Sequence, residues 1–340
     1  MKKKTGTSFV SAQQVADLAG VSRSAVSRTF TKGASVSPTT RSKVIKAADN
    51  LGYHVNELAR GLINEQSNIV CIVGADIYTP YQSRFIDALT RELQAIHKVT
   101  MVVNSSGDSE VRDALAQTIR YRADATLVLS GQPDDALIQT CLNNGQRVIV
   151  VNRDKMQSGV ESIVVTNRVA AREAFHMLHR AGCRDIVAVS SKAGTPSLVA
   201  REQAFLQEAK DHGIEATLKT VGMTSYETGA ETARQLFSGS NPPDGAFCLT
   251  DLLACGFMDV ARHEFGRRIP EDLCVIGFDD IDQSSWSSYN LTTFRQPVED
   301  IAAHIRDLLS SRVDPEMGEG PTRFPTEPVW RQSVRMSAKP

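Results

Sequence analysis

From Asn68 onward, short runs of β-branched and other apolar residues alternate with stretches in which apolar residues recur every three or four positions. The runs Ile69–Val73, Thr100–Val103, Ala125–Leu129, Val148–Val151, Ile163–Val165, Ile186–Val189, Thr217–Val221, Ala246–Leu249 and Leu273–Phe278 predict strands. Amphipathic segments near 82–97, 109–121, 134–144, 168–181, 197–212, 226–237, 252–265 and 298–310 predict the helices between them. Unbroken apolar runs suit strands covered on both faces, so the rhythm predicts an α/β body of parallel sheets between helices. About ten strands divide more naturally into two such sheets than one. Spacing alone leaves an enzyme on a doubly wound fold open.

The first 55 residues follow the helical period only. Ser11-Ala12-Gln13-Gln14 reads as a capping box, in which Ser11 accepts from the amide three residues on and Gln14 reaches back. Val15, Leu18 and Ala19 then form the expected buried stripe. Ala19-Gly20-Val21 fits the tight turn of a helix-turn-helix, with Gly20 free to adopt positive φ. Ser22 caps a second helix, Arg23 to Phe30, whose inward face is expected to be Ala25, Val26 and Phe30. Ser37-Pro38, an N-cap followed by a first-turn proline, opens a third helix through Val44, Ile45, Ala48 and Leu51, stopped by Gly52. The solvent side of the second helix carries Arg23, Ser24, Ser27 and Arg28, groups suited to purine acceptors and phosphates in a major groove.

Charge sharpens this division. The chain of 340 residues has a formal net charge of -1, yet residues 1–63 hold ten Lys/Arg against only Asp17, Asp49 and Glu57. A basic head on an acidic body fits a polyanionic partner for the head; a merely solvated basic face has the same charge balance. The start, Met-Lys-Lys-Lys, resembles a signal peptide's basic region, but Phe9-Val10 gives way to Ser11, Gln13, Gln14 and Asp17 before an apolar segment forms. There is no run of 18 apolar residues, so no membrane partner is expected and the chain is expected in the cytoplasm, at the nucleoid. Six cysteines stand at 71, 141, 183, 248, 255 and 274 without a CxxC pair, and are expected as buried thiols. No metal and no cofactor is expected. Asp279-Asp280 and the histidines at 97, 176, 179 and 263 offer the raw material of an enzyme. However, no glycine-rich phosphate loop, HExxH or nucleophile elbow accompanies them, and an enzyme is not the expected reading.

Val15-Ala16-Asp17-Leu18-Ala19-Gly20-Val21-Ser22-Arg23-Ser24-Ala25-Val26-Ser27-Arg28 resembles the opening helix-turn-helix of the lactose-repressor/galactose-repressor (LacI/GalR) family. The likeness continues through Val36-Ser37-Pro38, Thr40-Arg41, Lys43-Val44, Ala47-Ala48 and Leu51-Gly52-Tyr53. It implies that Arg23 and Ser24 read bases and that Arg28 meets a phosphate or base edge, with Ser22 and Ser27 on the same DNA-facing surface. It also implies that 56–67 is a hinge helix and linker in which Asn56, Ala59 and Leu62 meet DNA, Leu62 as a wedge in the minor groove. The pattern departs from the family at Val55, where a proline is usual. A second departure is Gly61, which costs about 1 kcal/mol of helix propensity relative to alanine.

The resemblance extends into the body through Val151-Asn152-Arg153, Ile276-Gly277-Phe278-Asp279-Asp280 and Leu291-Thr292-Thr293-Phe294 with Gln296-Pro297. It implies a periplasmic-binding-protein-like core over 68–340: a first lobe of about 68–165 and 295–315, and a second of about 166–294 and 316–336. Three crossovers would join the lobes, and a small effector, sugar-like by analogy, would lie between them. Ligands of such sheets meet the carboxyl ends of the strands. That places Asp76, Tyr78, Tyr81, Asn152, Arg153, Thr250, Asp251 and Asp279 as candidate effector contacts, and the resemblance adds Arg201, which matches the family's arginine after the second lobe's first strand; carboxylates and arginine would pair with hydroxyls and aromatic faces stack on a ring. The partners implied are double-stranded operator DNA, bound at a pseudopalindrome by a homodimer, and the effector. The resulting function is an effector-responsive, sequence-specific transcriptional regulator, expected to be a repressor.

Overall fold

The computed structural model describes residues 9–31, 33–56, 61, 66–105, 108–129, 135–153, 157–310 and 320–336. Two units emerge, Met1–Ser67 and Asn68–Pro340.

The first unit contains helices α1 (Ala12–Ala19), α2 (Arg23–Phe30) and α3 (Pro38–Leu51). Each starts on a serine cap: Ser11 Oγ accepts from the Gln14 amide within a complete capping box, Ser22 Oγ from Ala25, and Ser37 Oγ from Thr40. Gly20 and Gly52 end α1 and α3 in the left-handed region, at φ 64° and 65°, where a side chain is strained. Val15, Ala16, Val26, Val44, Ala47 and Ala48 form the small core. Two expected core positions fall outside it, since Leu18 is 55% and Ile45 43% exposed. With only three short helices, α1 can bury one narrow stripe, and Ala16 takes the place assigned to Leu18. Arg41 Nη1 donates to the Thr29 carbonyl at 2.9 Å and ties α3 to the end of α2.

The second unit has two parallel sheets. In the first lobe the order is β11-β5-β4-β3-β1-β2, with β1 (Ile69–Gly74), β2 (Val99–Asn104), β3 (Ala125–Val128), β4 (Arg147–Val151), β5 (Val160–Val165) and β11 (Thr322–Phe324). Helices α4 (Pro80–Ala95), α5 (Asp108–Arg120) and α6 (Asp135–Asn143) connect the strands, and α11 (Val298–Ser310) packs against α4. In the second lobe the order is β7-β6-β8-β9, from β6 (Ile186–Ser190), β7 (Thr217–Thr220), β8 (Gly245–Cys248) and β9 (Cys274–Ile276). Its helices are α7 (Asn167–Arg180), α8 (Pro196–Asp211), α9 (Tyr226–Phe237) and α10 (Asp251–His263). Central strands β1, β6 and β8 are buried at every position, as parallel strands between two helical layers must be. Edge strand β2 has no fully buried position, only exposed and half-buried ones.

The chain passes between lobes three times: after β5, through β10 (Thr293–Arg295), and between β11 and β12 (Glu327–Val329). Strands β10 and β12 pair antiparallel, and bridges from Ile276 to Thr292 and from Asp279 to Arg295 lay this ribbon along β9. One expectation is corrected here. Residues 322–324 join β5 in the first lobe's sheet instead of belonging with the rest of 316–336 to the second. The parallel edge of β5 is open to pairing, and the last crossover fills it before returning. All six cysteines are free and buried. Among the described residues no helix is long and apolar enough to cross a membrane.

Candidate functional site

Within the first unit, Ser22, Arg23, Ser24, Ser27 and Arg28 are all exposed, while Ala25 and Val26 of the same helix are buried. Helical spacing therefore delivers one polar, basic surface from the first two turns of α2. Ser22 is committed to capping, and its Oγ also lies 2.9 Å from that of Ser24. Asn56 is exposed; Ala59 and Leu62, the other hinge residues singled out by the sequence, lie outside the described residues.

In the second unit a cavity of about 170 Å³ opens where the strands of both sheets end. In each sheet this is the point at which strand order reverses, between β1 and β3 and between β6 and β8. Its walls combine apolar groups such as Phe85, Leu129, Leu198 and Ile281 with Asp76, Tyr81, Asn152, Arg153, Arg201, Thr250 and Asp279. Seven of the nine candidate residues thus meet around one space.

Two do not, and both are corrections. Tyr78 is 78% exposed and does not line the cavity, because the turn before α4 points it outward. Asp251 is completely buried behind the wall. Its Oδ1 accepts from Thr293 Oγ1 at 2.6 Å and its Oδ2 from the Ile281 amide at 2.9 Å, so it fastens the 278–281 loop and the crossover to α10. Burial, reinforced by the nearby charge of Asp279, raises its carboxyl to about 8. Gly277 allows this approach, since a Cβ there would lie 2.0 Å from Asp251 Oδ1.

Arg201 forms the centre of the polar wall. Its Nε donates to Asn167 Oδ1 at 2.8 Å and its Nη1 to the Leu249 carbonyl at 2.6 Å. The guanidinium carbon sits 3.4 Å from the centre of the Phe278 ring. Burial lowers its pKa to about 10, partly countered by Asp279, Tyr81 and Asp251, and the group stays charged at neutral pH. Asp279 is pushed up to about 6 by burial, against the opposing pull of Arg201 and a hydrogen bond from Gln296. Gln296 Nε2 donates to Asp279 Oδ1 at 2.7 Å, and its Oε1 accepts from Tyr81 Oη at 2.9 Å. Tyr81, on α4 of the first lobe, is thereby joined to Asp279 of the second through a crossover residue. Burial foremost drives the Tyr81 phenol well above its ordinary pKa.

The loops at this cavity also hold unusual backbone. Asp76, Asn152, Asp279 and Asp280 have φ of 50°, 61°, 123° and 55°. Such conformations cost of order 1 kcal/mol or more each and collect where geometry serves a site. Thr250 lines the cavity while its Oγ1 caps α10 by accepting from the Leu253 amide. Asn152 Oδ1 accepts from the Val165 amide, and Arg153 pairs with Asp135 at 3.5 Å.

Sequence reasoning missed Gln82, Thr195, Ser197 and Thr224 on the wall, and the bridging role of Gln296. The loop after β6 carried the same strand-end signal as the loops that were selected. Gln82 had none, because a helical glutamine looks like a surface residue until the lobes are folded, and Gln296 stood in a family motif with nothing local to aim it at Asp279. Gln82 Oε1 is buried without a hydrogen bond among the described residues.

Residues 12–56 match the lacI family of bacterial regulatory proteins, and residues 175–334 match a periplasmic binding protein-like domain. The HTH-type transcriptional repressor CytR of Escherichia coli strain K12 is 28% identical over 344 residues, covering 98% of this chain and 99% of its own. A crystal structure of the lac repressor dimer bound to operator and the anti-inducer ONPF has the same fold, with a TM-score of 0.84 at 22% identity over 96% of this chain and 99% of that one. A LacI family regulator from Enterococcus faecium with bound ribose superposes with a TM-score of 0.71 at 23% identity, over 78% of this chain and 98% of that one. The chain thus joins a helix-turn-helix domain of the LacI family to a two-lobed periplasmic binding protein-like core.

Proposed function

We propose that the protein is a repressor that binds a pseudopalindromic operator as a homodimer and releases or tightens its hold when a small polyhydroxylated metabolite enters the interlobe cavity. The observation that carries this reading is the polar wall around Arg201. A charged guanidinium has been taken out of water and braced by Asn167, Leu249 and Phe278, with Asp279 beside it. Burying a cation costs several kcal/mol unless partners compensate, and its Nη2 makes no hydrogen bond among the described residues. A ligand with vicinal hydroxyls would complete the set: Arg201 donates to it, Asp279 and the unpaired Gln82 Oε1 accept, and Tyr81 and the apolar wall cover its C–H face. The ribose and anti-inducer named with the structural relatives support a sugar or sugar derivative as the class.

On the DNA side, Arg23 and Ser24 would read base edges, with Arg28 and the serines at 22 and 27 on the backbone or at base edges. Two heads and two hinges, including Asn56, Ala59 and Leu62, would engage the two half-sites. Coupling would run through the lobes, because Tyr81, Gln296 and Asp279 connect them directly at the cavity. Such couplings are typically worth about 1–3 kcal/mol. A protein with this role works in the cytoplasm, at the nucleoid.

A thermal-shift screen of sugars, sugar phosphates and polyols, followed by operator titration with and without the hit, tests the reading. A ligand that raises the melting temperature by mass action and changes operator affinity is expected. Operator affinity should also fall steeply with salt as phosphate contacts release counterions. A flat salt response would refute DNA binding by the head, and stabilisation without change in operator affinity would refute the coupling.

A further inference from the structure

Three of the chain's seven histidines converge on one surface of the second lobe, away from the cavity. His176 and His179 lie one turn apart on α7, and His212 caps the C-terminus of α8 one turn beyond Glu208. His176 Nε2 is 3.1 Å from Glu208 Oε1, and His212 Nδ1 is 3.7 Å from the same oxygen and 2.9 Å from the Glu208 backbone carbonyl. One donor atom each from His176, Glu208 and His212 lies within 4.8 Å of the other two. The rings rest on fully buried Phe175, whose centroid is 5.6, 5.5 and 5.2 Å from those of His176, His179 and His212.

We propose that His176, Glu208 and His212 form a binding site for a divalent transition-metal ion, with Zn(II) as the fitting member of the class. Tetrahedral zinc with bonds near 2.0–2.1 Å sets its ligand atoms about 3.3 Å apart, so side-chain adjustments of about an ångström seat all three. Two imidazoles with a single carboxylate favour zinc, nickel or copper over calcium or magnesium, which need more oxygens. The side chains are 35%, 19% and 37% exposed, enough shelter to hold the donors and enough opening to admit an ion and a water. Arg172 Nε lies 3.6 Å from Glu208 Oε2, the oxygen not shared with the histidines, so it orients the carboxylate without occupying its metal-facing atom.

The site joins the same two helices that the Arg201–Asn167 bond joins at the cavity, about 10–17 Å further along them. A bound ion would thus fasten α7 to α8 at a second point. The inference does not depend on the effector reading, since it concerns other side chains.

The test is titration of the untagged full-length protein with Zn(II) against a chromophoric chelator, with Co(II) as a spectroscopic probe. One equivalent is expected to bind, to raise the melting temperature, and to give Co(II) bands of low-coordinate nitrogen–oxygen ligation without thiolate charge transfer. His176→Gln combined with His212→Gln should weaken binding at least about tenfold, whereas His263→Gln should not. Equal affinity in the double variant, a thiolate signature, or an aquo-like Co(II) spectrum in the unaltered protein would each overturn the site. The last two measurements need no variant, so misfolding of the double variant leaves the proposal decidable.

Discussion

Replacing Arg201 with methionine keeps the aliphatic stem and removes the fork and its charge. The Asn167 Oδ1 and Leu249 carbonyl acceptors then lose partners at 2.8 and 2.6 Å, deep in the second lobe. Leaving a buried acceptor unpaired costs about 1–3 kcal/mol, and loss of the guanidinium over Phe278 about 0.5–2 kcal/mol. Relief of the buried cation's desolvation offsets part of this, and Asp279 loses its countercharge, which raises its pKa further. The net cost comes to about 3–4 kcal/mol, in the range measured for breaking buried charged pairs. For a unit of this size each kcal/mol lowers the melting temperature by about 2–4 °C, so a fall on the order of 10 °C is expected. Calorimetric melting of the ligand-free protein reads it directly. Arg201→Lys, which keeps the charge but not the fork, should recover only part of the loss. A methionine variant melting within about 2 °C of the parent would refute the brace, since that is less than the cost of one orphaned acceptor. If the variant folds, it should bind operator normally at low temperature and fail to respond to effector.

Three further outcomes are expected. Leu62→Ala should weaken specific operator binding on the order of thirtyfold, the equivalent of about 2 kcal/mol of lost apolar burial, and leave effector affinity intact; gel-shift titration showing an unchanged operator constant would remove the wedge assignment. Effector affinity should decline as pH falls through about 6, because protonating Asp279 removes the acceptor that the ionised form offers; calorimetric titrations across pH should show this, and Asp279→Asn should weaken binding and flatten the profile. Ser11→Ala breaks the capping box of α1 and should cost about 1 kcal/mol; amide exchange along α1 in the full-length protein should accelerate about fivefold, and an unaltered rate would show that packing alone holds the helix.

The α/β order was legible along the chain because its signals are local. A strand buried on both faces is written as an unbroken apolar run, as in Ile69–Gly74, and every strand and helix predicted for the second unit occurs within a few residues of its place. The serine caps at 11, 22 and 37 and the glycines at 20 and 52 likewise act on amides and φ angles within four residues, so sequence alone placed the helices of the head. Strand-end position, applied with the family resemblance, was enough to gather Arg201, Asp279, Asn152 and Tyr81 around one cavity.

Other features were settled only by contacts between distant segments. Leu18 is exposed because a three-helix core has room for one stripe, and Thr322–Phe324 crosses lobes because β5 presents an open edge. Asp251 and Asp279 are both carboxylates near strand ends, and nothing local separates them. Packing against Thr293 and Ile281 hides the first, and an open wall leaves the second beside the cavity. His176 and His179 are three positions apart along one amphipathic helix, and only the packing of α8 brings Glu208 and His212 to them from some thirty positions away. The elements, the caps and the basic face of α2 follow from neighbours along the chain, since short-range physics suffices for each. Which polar groups meet, and in what chemical company, depended on tertiary packing, because burial and partner distance are properties of the folded chain.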